Sequence, residues 1–186
     1  MKKEIRILGI DDGPFDKFKK GKVIVIGAVF RGGSWLDGIL STKITADGKD
    51  STQKLIEMIN KSKFKQQLRA ILLDGIALGG FNIIDVEKLS HKTKVPVITV
   101  IRKMPDFEKI KKTLIKLNKK SRIKLIEKAG EVHNFNGIYF QVIGIEPGMA
   151  KQILKIACTR SLIPEAIRAA HMIASGVVKG ESRGRA

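Results

Sequence analysis

The sequence predicts an α/β fold: a mixed sheet in which three antiparallel strands are followed by parallel strands, with helices on both faces. Three observations carry this expectation. Strand-like runs fill the first third of the chain, joined by short glycine-containing links that favour antiparallel pairing. After Asp50 the apolar spacing changes from a period of two toward about 3.6. A strand, a helix and a second strand come next, and the right-handed crossover that joins such strands makes them parallel.

Glu4–Ile10 alternates loosely, Lys22–Phe30 is a β-branched run, and Ser34–Thr45 follows after Arg31-Gly32-Gly33. Leu55, Ile56 and Ile59 then share one helical face. Leu68–Leu73 and Pro96–Ile101 read as buried strands, with a helix near Ile83–Lys92 between them. Met104–Lys128 reads as one lysine-laden helical stretch with Ile110, Leu114 and Leu117 as its apolar stripe. Around that stripe stand Lys111, Lys112, Lys116, Lys119, Lys120, Arg122 and Lys124, a basic side that suits phosphates or simply solvent. Short strands near Val132 and at Ile138–Ile143 lead to a helix over Pro147–Thr159, and a last amphipathic helix starts near Pro164 and reaches Ala174. With no linker or repeat, residues 1–186 are expected to form one domain, with Lys179–Ala186 as a flexible tail. This order of elements is that of the ribonuclease-H-like fold.

At 186 residues and 43% hydrophobic content the chain can fill a core without a covalent staple. Its single cysteine, Cys158, cannot form an internal disulfide, and Met1-Lys2-Lys3-Glu4 runs into a strand-like segment instead of a signal core. A soluble cytoplasmic protein is expected, since no apolar run reaches the roughly 20 residues of a membrane span. The net charge of +18 points to a polyanionic partner, nucleic acid and DNA above all, bound in a salt-dependent way. Only 5% of residues are aromatic, which argues against an extensive base-stacking platform. Phosphate-binding loops, zinc-ligand clusters, serine-hydrolase elbows and dinucleotide fingerprints are all absent.

Asp11 and Asp12 come directly after the first strand, and Asp74-Gly75 ends the Leu68–Leu73 strand. In open α/β sheets sites assemble at the carboxyl ends of strands, and parallel neighbours would bring Asp11 and Asp74 together. Carboxylates so placed repel unless a cation lies between them, and hard oxygen ligands suit Mg2+. Asp before Gly is also ordinary turn chemistry. Asp50, followed by Ser51-Thr52-Gln53, reads first as a helix N-cap, which needs no function; a helix start can also aim a third acid over the sheet edge. His171 borders the stripe of Ile163, Ala166, Ile167, Ala170 and Ala174; near two acids an imidazole there could bind metal or move a proton.

Gly9-Ile10-Asp11-Asp12-Gly13-Pro14-Phe15, Trp35-Leu36-Asp37-Gly38, Leu72-Leu73-Asp74-Gly75 with Gly79-Gly80-Phe81-Asn82, and Pro164-Glu165-Ala166-Ile167-Arg168-Ala169-Ala170-His171 carry a resemblance to an endonuclease V-related family of deoxyuridine endonucleases. The similarity covers essentially the whole chain. It implies a metal-dependent endonuclease in which Asp11 and Asp74 match metal-binding aspartates, Asp50 stands where a glutamate does, and His171 matches a C-terminal acid-or-histidine position. Mg2+ or Mn2+ is the implied cofactor, the implied reaction is phosphodiester hydrolysis near a deaminated base, and Arg102 and Lys103 fall where a basic residue lies near phosphate; Lys111 and Lys112 extend that basic surface. Endonuclease V's Pro-Tyr-Ile-Pro wedge is replaced by Ile44-Thr45-Ala46-Asp47-Gly48, and its His-Pro-Arg by Gly80-Phe81-Asn82, so the parts that read the base differ. A non-catalytic nucleic-acid-binding module on the same scaffold, and a hydrolase of small phosphorylated compounds, are the alternative functions.

Overall fold

The computed structural model describes residues 2–16, 19 and 21–183. Strands β1 (Arg6–Asp12), β2 (Lys22–Arg31) and β3 (Trp35–Thr45) form an antiparallel meander. Helix α1 (Ser51–Asn60) leads to β4 (Leu68–Asp74), which pairs parallel to β1. A small hairpin, β5 (Ala77–Leu78) and β6 (Asn82–Ile83), stands apart from the main sheet. Next come α2 (Val86–Thr93) and β7 (Val97–Ile101), the latter parallel to β4. Then follow α3 (Phe107–Lys116), a short α4 (Ile123–Glu127), β8 (His133–Phe135), β9 (Ile138–Ile143), α5 (Pro147–Ala157) and α6 (Glu165–Lys179). The seven-stranded sheet has the order β3-β2-β1-β4-β7-β9-β8.

The alternation along each central strand feeds two apolar layers. Leu8, Ile10, Val23, Val25, Ile71, Leu73 and Val97 point to one face, where Leu55, Ile56 and Ile59 of α1 and Val86 and Leu89 of α2 cover them. On the other face lie Ile7, Ala70, Leu72, Ile98 and Phe140, covered by α5 and by Ile163 and Ile167. Helix α6 also crosses β2, setting Ala166, Ala170 and Ala174 on Ile26, Ala28 and Phe30. Small residues bring this helix very close: a Cβ on Gly9 would stand 2.2 Å from the Ala166 carbonyl carbon. The ribonuclease-H-like arrangement, with helices on both faces, is thus the observed one.

Four details depart from expectation. Strand β1 continues through Asp12, so both acids are strand residues, because Asp11 and Asp12 still pair with Ile26 and Val25. Strand β9 is antiparallel to β7 and β8 to β9, since the long excursion through α3 and α4 is not bound by the crossover rule. The Met104–Lys128 stretch breaks in two at Asn118 (φ 54°), where Asn118 N–H donates to Ile115 O and Lys119 N–H to Leu114 O, a double closure of the helix end. Leu117 therefore lies outside the stripe and is 44% exposed, while Arg122 is buried and donates to the carbonyl oxygens of Phe81 and Asp47. Beyond α6, Arg183 N–H donates to Ser175 Oγ and Ser182 Oγ to the Met172 carbonyl; residues 184–186 of the expected tail lie outside the described residues.

Candidate active site

The two central parallel strands end side by side. Ile10 of β1 is in register with Leu73 of β4, so the next residue on each is an acid, Asp11 and Asp74. Asp11 shares its side of β1 with Ile7 and Gly9, and Asp74 shares its side of β4 with Leu72, so both turn toward α6. There Asp11, 6% exposed, meets His171: Asp11 Oδ2 lies 2.8 Å from His171 Nδ1, and Oδ1 accepts the Asp12 backbone N–H at 2.9 Å. Asp74 Oδ2 accepts from Arg102 Nη2 at 2.9 Å. These groups, with Pro14, Phe15 and Gly75, line an open recess of about 570 Å3.

Charge is frustrated at this edge. Burial, then the neighbouring Asp74 and Asp12, push the Asp11 carboxyl up to about 7, against the His171 and Asp12 N–H contacts that favour its ionised form. Burial also raises Asp12, opposed by the Gly79 N–H bond, and raises Asp74, opposed by the Arg102 guanidinium. Asp11 and Asp74, buried and close enough to oppose each other's ionisation, are oxygen donors of the kind a hard divalent cation relieves. His171 Nε2, buried and without a hydrogen-bond partner among the described residues, adds an unsatisfied polar atom to the same cluster. The chemistry of Asp11 and Asp74 therefore fits such an ion; Mg2+ needs only one or two carboxylates, with waters and phosphate completing its octahedron.

The structure does not bring every sequence-predicted residue here. Asp12 lines the recess, but its carboxylate turns to the other side of the sheet, where Oδ2 accepts the Gly79 N–H at 2.9 Å and ties β1 to the β5–β6 hairpin. Asp50 is apart from the cluster. Its carboxylate accepts from Thr45 N–H and Oγ1 and, at 2.7 Å, from Asn82 Nδ2. Burial works against its ionisation, but these bonds outweigh burial and hold Asp50 below the usual carboxylate range. It pins the end of β3 to the start of α1 without capping that helix through its side chain. Arg102 is at the rim, and exposed Lys103 follows it. Lys111 and Lys112 lie on α3 away from the recess, and Lys111 pairs with Glu127 at 3.1 Å. Asn82, fully buried, was not foreseen: its Oδ1 accepts Ser51 N–H while its Nδ2 reaches Thr45 O and Asp50. No local pattern marks such a residue, because its partners lie more than thirty positions away.

The acids at the carboxyl ends of adjoining strands, under a C-terminal helix that supplies a histidine, thus sit on a ribonuclease-H-like fold. The fold is similar to endonuclease V from Ciona intestinalis in complex with inosine-containing DNA, with a TM-score of 0.62 and 15% identity over 95% of this chain and 87% of that one. Endonuclease V from Bacillus subtilis gives a TM-score of 0.62 at 11% identity, over 94% of this chain and 81% of that one. A crystal structure of an Archaeoglobus fulgidus protein of unknown function is similar at a TM-score of 0.88 and 40% identity, covering 95% of this chain and 100% of the other. The chain belongs to the endonuclease dU family, which matches residues 3–178. A UPF0215 protein of Methanothermobacter thermautotrophicus is 51% identical over 100% of this chain and 94% of its own, and one from Methanopyrus kandleri 46% over 98% and 95%. Family and fold together support a nuclease. No helix among the described residues is long and apolar enough to cross a membrane.

Proposed function

We propose that this protein is a divalent-metal-dependent endonuclease that hydrolyses phosphodiester bonds near deaminated bases, deoxyuridine in DNA foremost. The observation that carries the reading is the pair Asp11 and Asp74, at adjoining strand ends in an open recess, with His171 bonded to Asp11. Deoxyuridine follows the family's description, and the net charge of +18 favours a polyanion over a small substrate.

Asp11 and Asp74 would hold Mg2+ or Mn2+. When bound, such an ion would neutralise charge on the phosphate and lower the pKa of water so that hydroxide is available near neutral pH. The protein's own groups do the rest. With Asp11 ionised, His171 Nδ1–H donates to it, which leaves Nε2 as the ring atom that takes up or returns a proton. Asp12 holds Gly79 and so fixes the loop after Asp74. Arg102 exchanges Asp74 for an incoming phosphate oxygen, and Lys103, Lys111 and Lys112 extend the cationic path for the strand. Asp50, saturated by its donors, acts on the site only by positioning α1 and the β5–β6 hairpin.

The test is nicking of uracil-containing, inosine-containing and ordinary strands with Mg2+ or Mn2+, beside an Asp74→Asn control from the same preparation. Metal-dependent cutting of uracil strands by wild type and none by the variant is expected. Equal cutting by both would refute the assignment.

A further inference from the structure

A second recess, about 540 Å3, opens at the other end of the sheet. It lies beside the segment entering β1, the end of β2 and the end of α5, so the seven-residue β1 separates it from the acids by roughly 20 Å. One wall is Trp35, the chain's single tryptophan, 67% exposed at the start of β3. Its floor is rigid. Gly32 has φ 59°, and a Cβ there would meet the Lys3 carbonyl oxygen at 2.5 Å. On Gly33 a Cβ would meet Thr159 Cγ2 at 2.6 Å and the Ile156 carbonyl oxygen at 2.8 Å. Gly32 N–H donates to Ile5 O and Thr159 Oγ1 to Gly33 O, which clamps the β2–β3 turn between the chain's entry into the sheet and the end of α5.

The lining is cationic with one acid: Lys3, Arg31 and Lys155 against Glu4. Arg31 is committed to Asp37 at 2.9 Å, whereas Lys3 and Lys155 are exposed and enter no ion pair among the described residues. An exposed indole beside two ammonium groups, on a preformed floor, suits a flat ring whose neighbours are phosphates. We infer that this recess is a second nucleic-acid contact, which stacks one base of an unpaired strand on Trp35 and sets the adjoining phosphates against Lys3 and Lys155. The contact supplies affinity away from the acids and holds whether or not the chain cuts.

Because Trp35 is the only tryptophan, its emission reports this recess alone. The full-length protein in EDTA is titrated with an oligothymidylate of about a dozen nucleotides, a length within the span of single-strand sites. Saturable quenching that weakens with salt is expected, and Lys155→Glu should reduce it. By anisotropy of a labelled strand, Trp35→Ala should bind on the order of tenfold more weakly and Trp35→Phe nearly normally, as for other stacking residues. Both variants should melt like wild type, since the indole is exposed. Binding without any change in emission, or undiminished binding by Trp35→Ala, would overturn the inference. Equal quenching by thymidine monophosphate at the same concentration would replace the strand with a free nucleotide, and emission that follows protein concentration would replace it with a second copy of the chain. Failure of nicking leaves all these readouts intact.

Discussion

Replacing Gly9 by alanine tests whether the site depends on how closely α6 lies on β1. The added Cβ would stand 2.2 Å from the Ala166 carbonyl carbon, 2.4 Å from Ile167 N and 2.5 Å from Ala166 O. All three are helix backbone, so no side chain can swing aside, and ordinary contact near 3.5–4 Å requires the helix to lift by more than an ångström. Overpacking of this kind costs about 1–3 kcal/mol, and this case belongs at the upper end. For a domain of this size that lowers Tm by roughly 6–12 °C. The same lift draws His171 away from Asp11, breaking a contact now 2.8 Å long. Thermal unfolding by circular dichroism reads the first effect and imidazole NMR the second. Gly148→Ala is the control, because a Cβ there meets nothing within 4 Å. If Gly9→Ala melts with wild type and keeps the imidazole signature of the Asp11 contact, the helix does not rest on the strand as described.

Asp11 is raised from 3.8 to about 7, so the folded protein holds a proton that the unfolded chain releases. Without metal, stability should therefore be fullest below about pH 4 as far as this group is concerned, and fall as pH rises toward about 7, by at most roughly 4 kcal/mol. Asp11→Asn should flatten that slope in urea titrations at pH 5 and pH 8 in EDTA, and abolish nicking; an unchanged slope argues against the buried acid cluster. Arg102→Gln should tighten Mn2+ binding severalfold in the absence of nucleic acid, by electron paramagnetic resonance, because it removes the cation now on Asp74; unchanged affinity counts against Asp74 as a ligand. Asp50→Asn should cost about 2 kcal/mol through weakened charge-assisted bonds to Thr45 and Asn82 while leaving Mn2+ affinity alone. A large loss of affinity would return Asp50 to the metal site.

Short-range pattern made much of this molecule legible. Ala70–Leu73 is a continuous apolar run, and Pro96–Ile101 is one interrupted only by Thr99, because both faces of their strands are covered there. An acid directly after such a run must emerge at a strand end, which is why Asp11 and Asp74 could be picked out. Asp50 shows the limit: a helix-start acid looks the same whether it faces a cavity or is consumed by Thr45 and Asn82, and Asn82 lies thirty-two residues downstream. Arg122 illustrates the same point among the lysines, since only the distant carbonyls of Phe81 and Asp47 distinguish it from its solvated neighbours. Asn118 was readable in principle, being a residue type that tolerates the left-handed helix end. The recess at Trp35 combines residues from positions 3, 35 and 155, which no local window joins.

The opposite headings of Asp11 and Asp12 turn β1 into a ruler whose zero mark is Gly9. Slide the strand by one position and a leucine or isoleucine arrives under a helix that has no room even for a methyl group, while the two aspartates trade faces. A frame-shifted chain is thus rejected by bulk before any chemistry is attempted, so the same empty spot that admits the helix also certifies that the correct acid has been delivered.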